Sequence, residues 1–247
     1  MQILILLTGI IIGSFLNVCI YRIPKGESIN YPSSNCTSCG KRLKPWDLIP
    51  ILSFLFLKGR CKYCNEKISI IYPIVELLNG VIYLTIYNIF GISSISAIYM
   101  LIASILIVIS FIDYNYQIIP DKLILLGFII ITPIHILYSF PSSLINGLLG
   151  LFISGGLFLS IAFISKGGMG GGDIKLISLI GYLLGLKVFM VIIISFILGA
   201  LVSISLLITN VKNRKDAIAF GPFIAIASII VMLFSDEILN IYFKIIF

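Results

Sequence analysis

Apolar runs of about 18 or more residues recur along the whole chain, and each is long enough to cross the hydrocarbon layer of a bilayer as a helix. Of the 247 residues, 60% are hydrophobic and only 11% are charged, and the mean hydropathy is +1.17. A soluble globular domain of this size does not have such a composition. The sequence therefore predicts an all-α fold, a polytopic membrane helix bundle.

We expect about eight transmembrane helices. They are predicted at residues 2–21, 71–89, 93–112, 123–139, 144–164, 174–187, 189–209 and 217–235. Only Gly185 and Lys187 interrupt the apolar sequence between the sixth and seventh. The chain then divides into a first span (1–21), a small cytosolic domain (22–70) and a transmembrane core (71–247).

The distribution of Lys and Arg predicts the orientation. Fifteen of the 17 basic residues fall on one side of the predicted membrane, in the polar region 22–69 and in the loops at Lys122, 166–175 and 212–215. Only Lys187 and Lys244 fall on the opposite side. By the positive-inside rule, the fifteen face the cytosol, in a cytoplasmic (inner) membrane crossed several times. The same rule explains the net charge of +7, so the partner we expect is the lipid bilayer and not nucleic acid.

A glycine-rich loop precedes the sixth predicted span. Five of the six residues in Gly167–Gly172 are glycine, and Asp173 follows directly. Glycine permits turns and close backbone approach, so Gly170, Gly171 and Gly172 are expected to support a site that accepts an extended peptide. The alternative is a flexible connector whose Asp173 caps the next helix.

A second carboxylate, Asp113, ends the third predicted span. Ionisable residues near the membrane interior usually serve a site or a pathway. A carboxylate pair that shares one proton can take a proton from water and give one to a scissile carbonyl, which is aspartic-protease chemistry. Alternatively, Asp113 lies at the headgroup level, or both groups serve a proton- or cation-coupled transporter. Asp121 is expected to be structural and His135 to be a hydrogen-bonded or lipid-facing histidine, whereas the role of Glu76 stays open.

Two Cys-x-x-Cys pairs predict a structural zinc site. The four candidate ligands are Cys36, Cys39, Cys61 and Cys64. Four thiolates at such spacing suit tetrahedral Zn²⁺, and the reducing cytosol disfavours disulfides. Gly40 and Asn65, one after each pair, suit the tight turns that ligation requires. A dithiol redox site, as in a membrane redox sensor, is the alternative, and Cys19 is expected to be a buried apolar residue.

Between the cysteine pairs, Trp46–Leu57 is apolar but too short to cross a bilayer comfortably. We expect it to form one interfacial or re-entrant helix with an apolar face against the membrane.

Several motifs in order resemble those of the bacterial type IV prepilin peptidases, membrane aspartic proteases of the Gly-x-Gly-Asp type. The resemblance covers nearly the whole chain. The matching stretches are 13–18, Tyr21–Pro24, both cysteine pairs, Tyr72–Pro73, Glu76, Asp113, Ile119–Asp121, 168–176 and Phe220–Phe223.

The resemblance implies that Asp113 and Asp173 are the catalytic residues. It also implies cleavage of the basic leader of prepilins or pseudopilins after a glycine, on the cytosolic side. Many members of the family then methylate the new N-terminal residue with S-adenosylmethionine. Some relatives lack the cysteines, so zinc is not required for proteolysis.

Overall fold

The computed structural model describes residues 1–138, 143–166, 168–210, 213 and 217–246. Gly167 of the glycine loop and the basic residues Lys212, Arg214 and Lys215 lie outside these ranges.

The fold is all-α, as predicted. Its α-helices are α1 (Gln2–Arg22), α2 (Leu52–Phe56), α3 (Ile71–Phe90), α4 (Ser94–Tyr116), α5 (Asp121–Tyr138), α6 (Leu144–Ile164), α7 (Gly171–Leu184), α8 (Val188–Ile208) and α9 (Gly221–Ile246). Short 3-10 segments lie at Ile23–Lys25, Pro45–Leu48 and Gly185–Lys187. In the described ranges, β structure is limited to two isolated bridges, Asn35 with Arg42 and Arg60 with Lys67.

Eight of these helices are long, but the predicted count of eight spans is not confirmed. Among the described residues, six segments are long and apolar enough to cross a membrane, and α5 is not one of them. One segment, Gly171–Ile208, has 38 residues and contains both α7 and α8, which separate at Gly185, where φ is +60°. With 14 residues, α7 is about 21 Å long, shorter than the roughly 30 Å of hydrocarbon in a bilayer.

The chain forms two compact units, Met1–Val108 and Ile109–Phe247. In the first unit, α1 and α3 pack closely through glycine. A Cβ on Gly13 would lie 2.7 Å from Cα of Glu76, so this contact excludes any larger residue. The amide of Asn79 donates to the carbonyl of Gly9 at 2.6 Å, which adds a buried hydrogen bond to the contact. The predicted division at residues 21 and 70 stays a prediction.

The prediction of one helix over Trp46–Leu57 is wrong. The 3-10 segment Pro45–Leu48 is followed by a turn at Ile51, where φ is +60°, and only then by the five residues of α2. Pro50 has no N–H to donate, and the N–H of Ile51 donates to the carboxylate of Glu76 at 2.7 Å, so neither can continue a helical ladder. Phe56 is nevertheless 82% exposed, as expected for a segment that faces lipid.

In the second unit, α6 and α7 approach each other through small residues. A Cβ on Gly181 would overlap the carbonyl of Gly150, so both positions require glycine. His135 of α5 is buried and contacts Tyr182 of α7, with ring centroids 4.7 Å apart and the ring planes tilted by 49°. This burial rules out a lipid-facing histidine.

Candidate functional site

Asp113 lies in the last turns of α4 and is buried. Its Oδ2 accepts a hydrogen bond of 2.9 Å from the backbone N–H of Gly221, the first residue of α9. The N-terminus of a helix carries partial positive charge, and this arrangement stabilises a nearby anion by roughly 0.3–1 kcal/mol. α9 therefore fixes both the position and the electrostatic environment of Asp113.

Asp173 lies in the first turn of α7, three residues after the N-cap Gly170. The N–H of Asp173 donates to the carbonyl of Gly170 at 3.1 Å, and a Cβ on Gly170 would lie 3.2 Å from Oδ2 of Asp173. The alternative, a connector whose Asp173 caps the helix, stays a prediction. Oδ1 is buried and has no hydrogen-bond partner among the described residues.

The structure brings Asp113 and Asp173 together, although 59 residues separate them in the sequence. They lie close enough for the charge of Asp113 to act on Asp173. Asp113 is held by the backbone N–H of Gly221, and Asp173 lies beside Gly170. The sequence placed Gly221 in a family motif but did not predict its contact with Asp113. The Gly-Pro pair at the start of an apolar run was the available sign of a helix N-terminus at this position.

Contacts around the glycine loop fix the start of α7. A Cβ on Gly172 would lie 2.8 Å from Cβ of Ile119, whereas Gly171 has open space around it. Asp121 begins α5, as expected, and also pairs with Lys175 of α7 at 2.6 Å. Both partners are largely exposed, so this ion pair contributes little to stability.

The four cysteines Cys36, Cys39, Cys61 and Cys64 form one cluster. Their Sγ atoms all lie within 4.8 Å of one another. Zn–S distances of about 2.3 Å in a tetrahedral site place the sulfurs about 3.8 Å apart, and the Sγ atoms of Cys36 and Cys64 are 3.8 Å apart. The cluster therefore fits a zinc ion, and Cys19 is buried elsewhere, as predicted.

The two cysteine pairs adopt the same local geometry. The N–H of Cys36 donates to the carbonyl of Lys41, and the N–H of Cys61 donates to the carbonyl of Glu66. The predicted tight turns are present, with φ of +68° at Gly40 and +58° at Asn65. The backbone N–H groups of Cys39 and then Ser38 lower the pKa of Cys36 to about 6, which favours the thiolate that a metal needs.

These features define a multi-pass helical membrane protein with a carboxylate pair at its helix ends and a separate thiolate cluster. Two family models match the chain. The Bacterial Peptidase A24 N-terminal domain matches residues 7–90, and the Type IV leader peptidase family matches residues 100–204.

Curated relatives extend over nearly the full length. They are named prepilin leader peptidase/N-methyltransferase, and three examples follow. The protein of Bacillus subtilis (strain 168) is 39% identical over 96% of this chain and 95% of its own length. Those of Legionella pneumophila and Pseudomonas putida are 34% and 31% identical, over 98% and 93% of this chain and 94% and 89% of their own lengths. No solved structure matches the chain.

The chain belongs to the type IV leader peptidase family. It is an enzyme of the protease class, and the family name gives no support to the transporter alternative.

Proposed function

We propose that this protein is a membrane aspartic endopeptidase that removes the basic leader of type IV prepilins or pseudopilins, cutting after a glycine. We further propose that it methylates the new N-terminal residue. The names of the relatives support both activities. The observation that carries the proteolytic part is the proximity of Asp113 and Asp173, each at a helix end and near enough for the charge of one to act on the other.

In the proposed mechanism, the two carboxyl groups share one proton. The ionised group removes a proton from water, and the resulting hydroxide attacks the scissile carbonyl carbon. The protonated group donates to the carbonyl oxygen, giving a tetrahedral intermediate that collapses when a proton reaches the leaving nitrogen. Oδ1 of Asp173, which has no partner among the described residues, is the atom we assign to contact water or substrate.

Gly170, Gly171 and Gly172 support this site in the proposal. Gly171 has no neighbouring atom within 4 Å of an added Cβ, so an extended substrate strand can approach the backbone there. Gly172 fits against Ile119 only without a side chain, which keeps Asp173 in place.

We propose that Cys36, Cys39, Cys61 and Cys64 hold a structural Zn²⁺. The fit of the cluster to tetrahedral sulfur ligation supports this assignment. A metal that joins two short hairpins contributes folding free energy to a small domain with little hydrophobic core. The ion takes no part in the proteolytic steps above.

S-adenosylmethionine is the methyl donor that the name of the relatives implies. The larger of the two cavities described in the structure, about 680 Å³ near the end of α1, does not fit it. Its lining contains Arg22, Arg42 and Lys44 and no carboxylate, whereas the donor carries a net positive charge. We therefore assign no residue to the donor and derive no methyl-transfer step.

We propose that the Asp pair faces the cytosol, in the cytoplasmic membrane. The fifteen-to-two distribution of basic residues supports this orientation. A leader peptide that has not been translocated is present on that side, where the enzyme must meet it.

The test is a reconstitution. The purified full-length protein is mixed in lipid vesicles with a prepilin substrate, and the products are identified by mass spectrometry. We expect release of a leader that ends in glycine and, with S-adenosylmethionine added, one methyl group on the new N-terminus. Absence of cleavage together with ion flux across the vesicle membrane would instead establish the transporter.

A further inference from the structure

The cavity of about 680 Å³ lies in the first unit, where α1 ends and the cytosolic segment begins. Apolar residues form part of its lining: Phe15, Val18, Ile29, Pro32, Leu43, Pro45 and Leu48. The basic residues Arg22, Arg42 and Lys44 and small polar residues complete it, and no acidic residue lines it. The cavity is thus both apolar and positively charged, which suits an amphiphilic anion.

Arg22 makes the charge of the cavity unusual. It is only 8% exposed, and its guanidinium donates to three backbone carbonyls, those of Ser28, Ile29 and Pro32, at 2.7–3.1 Å. The two ion pairs found within the described residues do not include it. A buried charge with neutral partners is costly, and a bound anion would offset that cost.

The surface of α1 shows where an apolar part of the ligand would lie. Leu4, Leu7, Ile11 and Phe15 follow each other at intervals of three or four residues, so they share one face of the helix. Each is 47–60% exposed, and Phe15 also lines the cavity. A continuous apolar stripe therefore leads from the membrane-spanning part of α1 into the basic cavity.

We propose that this cavity binds an anionic phospholipid. The phosphate lies between Arg42 and Lys44 and in the field of Arg22, and an acyl chain follows the stripe on α1. Water-soluble anions lack the apolar tail that the stripe accommodates. The site uses neither Asp113 nor Asp173, so its existence does not depend on the proposed proteolytic function.

Lipid retention measured by native mass spectrometry tests the proposal. The full-length protein is purified in a neutral detergent and equilibrated with equal amounts of phosphatidylglycerol and phosphatidylcholine. We expect the wild type to retain phosphatidylglycerol selectively. In the double variant Arg42→Gln, Lys44→Gln, retention should fall by about tenfold or more, since each base near an anionic headgroup contributes appreciably to binding.

A matched control is the double variant Lys58→Gln, Lys67→Gln, which removes the same charge from exposed positions outside the cavity lining. It should retain phosphatidylglycerol like the wild type. An equal loss in both double variants would show general attraction of the basic domain and would overturn the site. Retention of phosphatidylcholine as strongly as phosphatidylglycerol would overturn it as well.

A second readout uses Trp46, the single tryptophan of the chain. It lies in the 3-10 segment whose Pro45 and Leu48 line the cavity. Phosphatidylglycerol with brominated acyl chains should quench its fluorescence at lower concentration than brominated phosphatidylcholine. Equal quenching by both lipids, or relief of quenching by S-adenosylmethionine, would contradict the assignment of the cavity to a lipid.

Discussion

The backbone N–H of Gly221 donates to Oδ2 of Asp113 over 2.9 Å, although 108 positions separate the two residues in the sequence. A Cβ at Gly221 would lie only 2.7 Å from that oxygen, so glycine allows the helix end to approach the carboxylate. The proposed catalytic group is thus positioned by the beginning of α9 and not by its own helix alone.

Replacement of either proposed catalytic residue should abolish cleavage. In Asp113→Asn and Asp173→Asn, made separately, the rate should fall by about 100-fold or more, since one member of the acid–base pair is lost. Prepilin cleavage is measured by gel shift and mass spectrometry. Asp121→Asn is the control, because that residue sits in an exposed ion pair and should leave the rate near the wild-type value. Full activity of either active-site variant would refute the assignment.

Gly172→Val should reduce cleavage about tenfold to a hundredfold by displacing the start of α7 from Ile119, since small misplacements of catalytic groups are costly. The helix content, followed by circular dichroism, should not change. Gly156→Val is the matched control, because Gly156 of α6 has open space around it. Normal turnover in Gly172→Val would mean that the loop is only a connector.

Zinc content should depend on the cysteine cluster. The wild type should copurify with one zinc ion per chain, measured by elemental mass spectrometry, and Cys36→Ser or Cys61→Ser should lose most of it, because serine is a poor zinc ligand. Methylation should decline before cleavage. Cys19→Ser, which changes the cysteine outside the cluster, should keep its metal. Unchanged zinc in the cluster variants would rule out this site.

The thiol chemistry of the metal-free protein should depend on pH. Hydrogen bonds from the N–H groups of Cys39 and Ser38 lower the pKa of Cys36 from its ordinary 9.0 to about 6. Because the thiolate is the reactive form, alkylation of Cys36 should reach half its maximal rate near pH 6 after chelation of the metal. In denaturant the midpoint should return towards the ordinary value. A folded-state midpoint above pH 8 would contradict the described turn.

Glu76→Gln should loosen the segment around Ile51. The carboxylate is buried and accepts the N–H of Ile51 at 2.7 Å, and a hydrogen bond to a charged acceptor contributes about 1.5–3 kcal/mol. Hydrogen exchange at the Ile51 amide should therefore accelerate about tenfold or more. Glu66→Gln, which changes an exposed acid just after the second cysteine pair, should not change the exchange rate of the Ile51 amide. Equal exchange in both variants would disprove the anchoring role of Glu76.

The sequence was sufficient to predict the all-α fold and the cysteine cluster, because the length of apolar runs and the Cys-x-x-Cys spacing are local signals. The separation of α7 from α8 was also indicated by Gly185. The prediction of a helix over Trp46–Leu57 was wrong because a tertiary contact interrupts the segment. The N–H of Ile51 donates to the carboxylate of Glu76, a residue in another helix. Local pattern carries no information about such a contact.

The carboxylate pair was found through two motifs, but its supporting contacts were not. Gly221 against Asp113 and Lys175 against Asp121 join residues 108 and 54 positions apart. Composition and periodicity cannot specify which helix ends meet. The basic cavity of the first unit was likewise not predicted, because Arg22 and Arg42 entered only the prediction of membrane orientation.

The short length of α7 affects how water reaches the carboxylate at its end. A helix of 14 residues leaves about 9 Å of a standard hydrocarbon layer uncrossed. Hydrolysis consumes a water molecule, and lipid tails keep water away from an amide. A stretch shorter than the hydrocarbon layer is accommodated by local thinning of the bilayer, which would shorten the apolar path that water crosses to reach the end of α7.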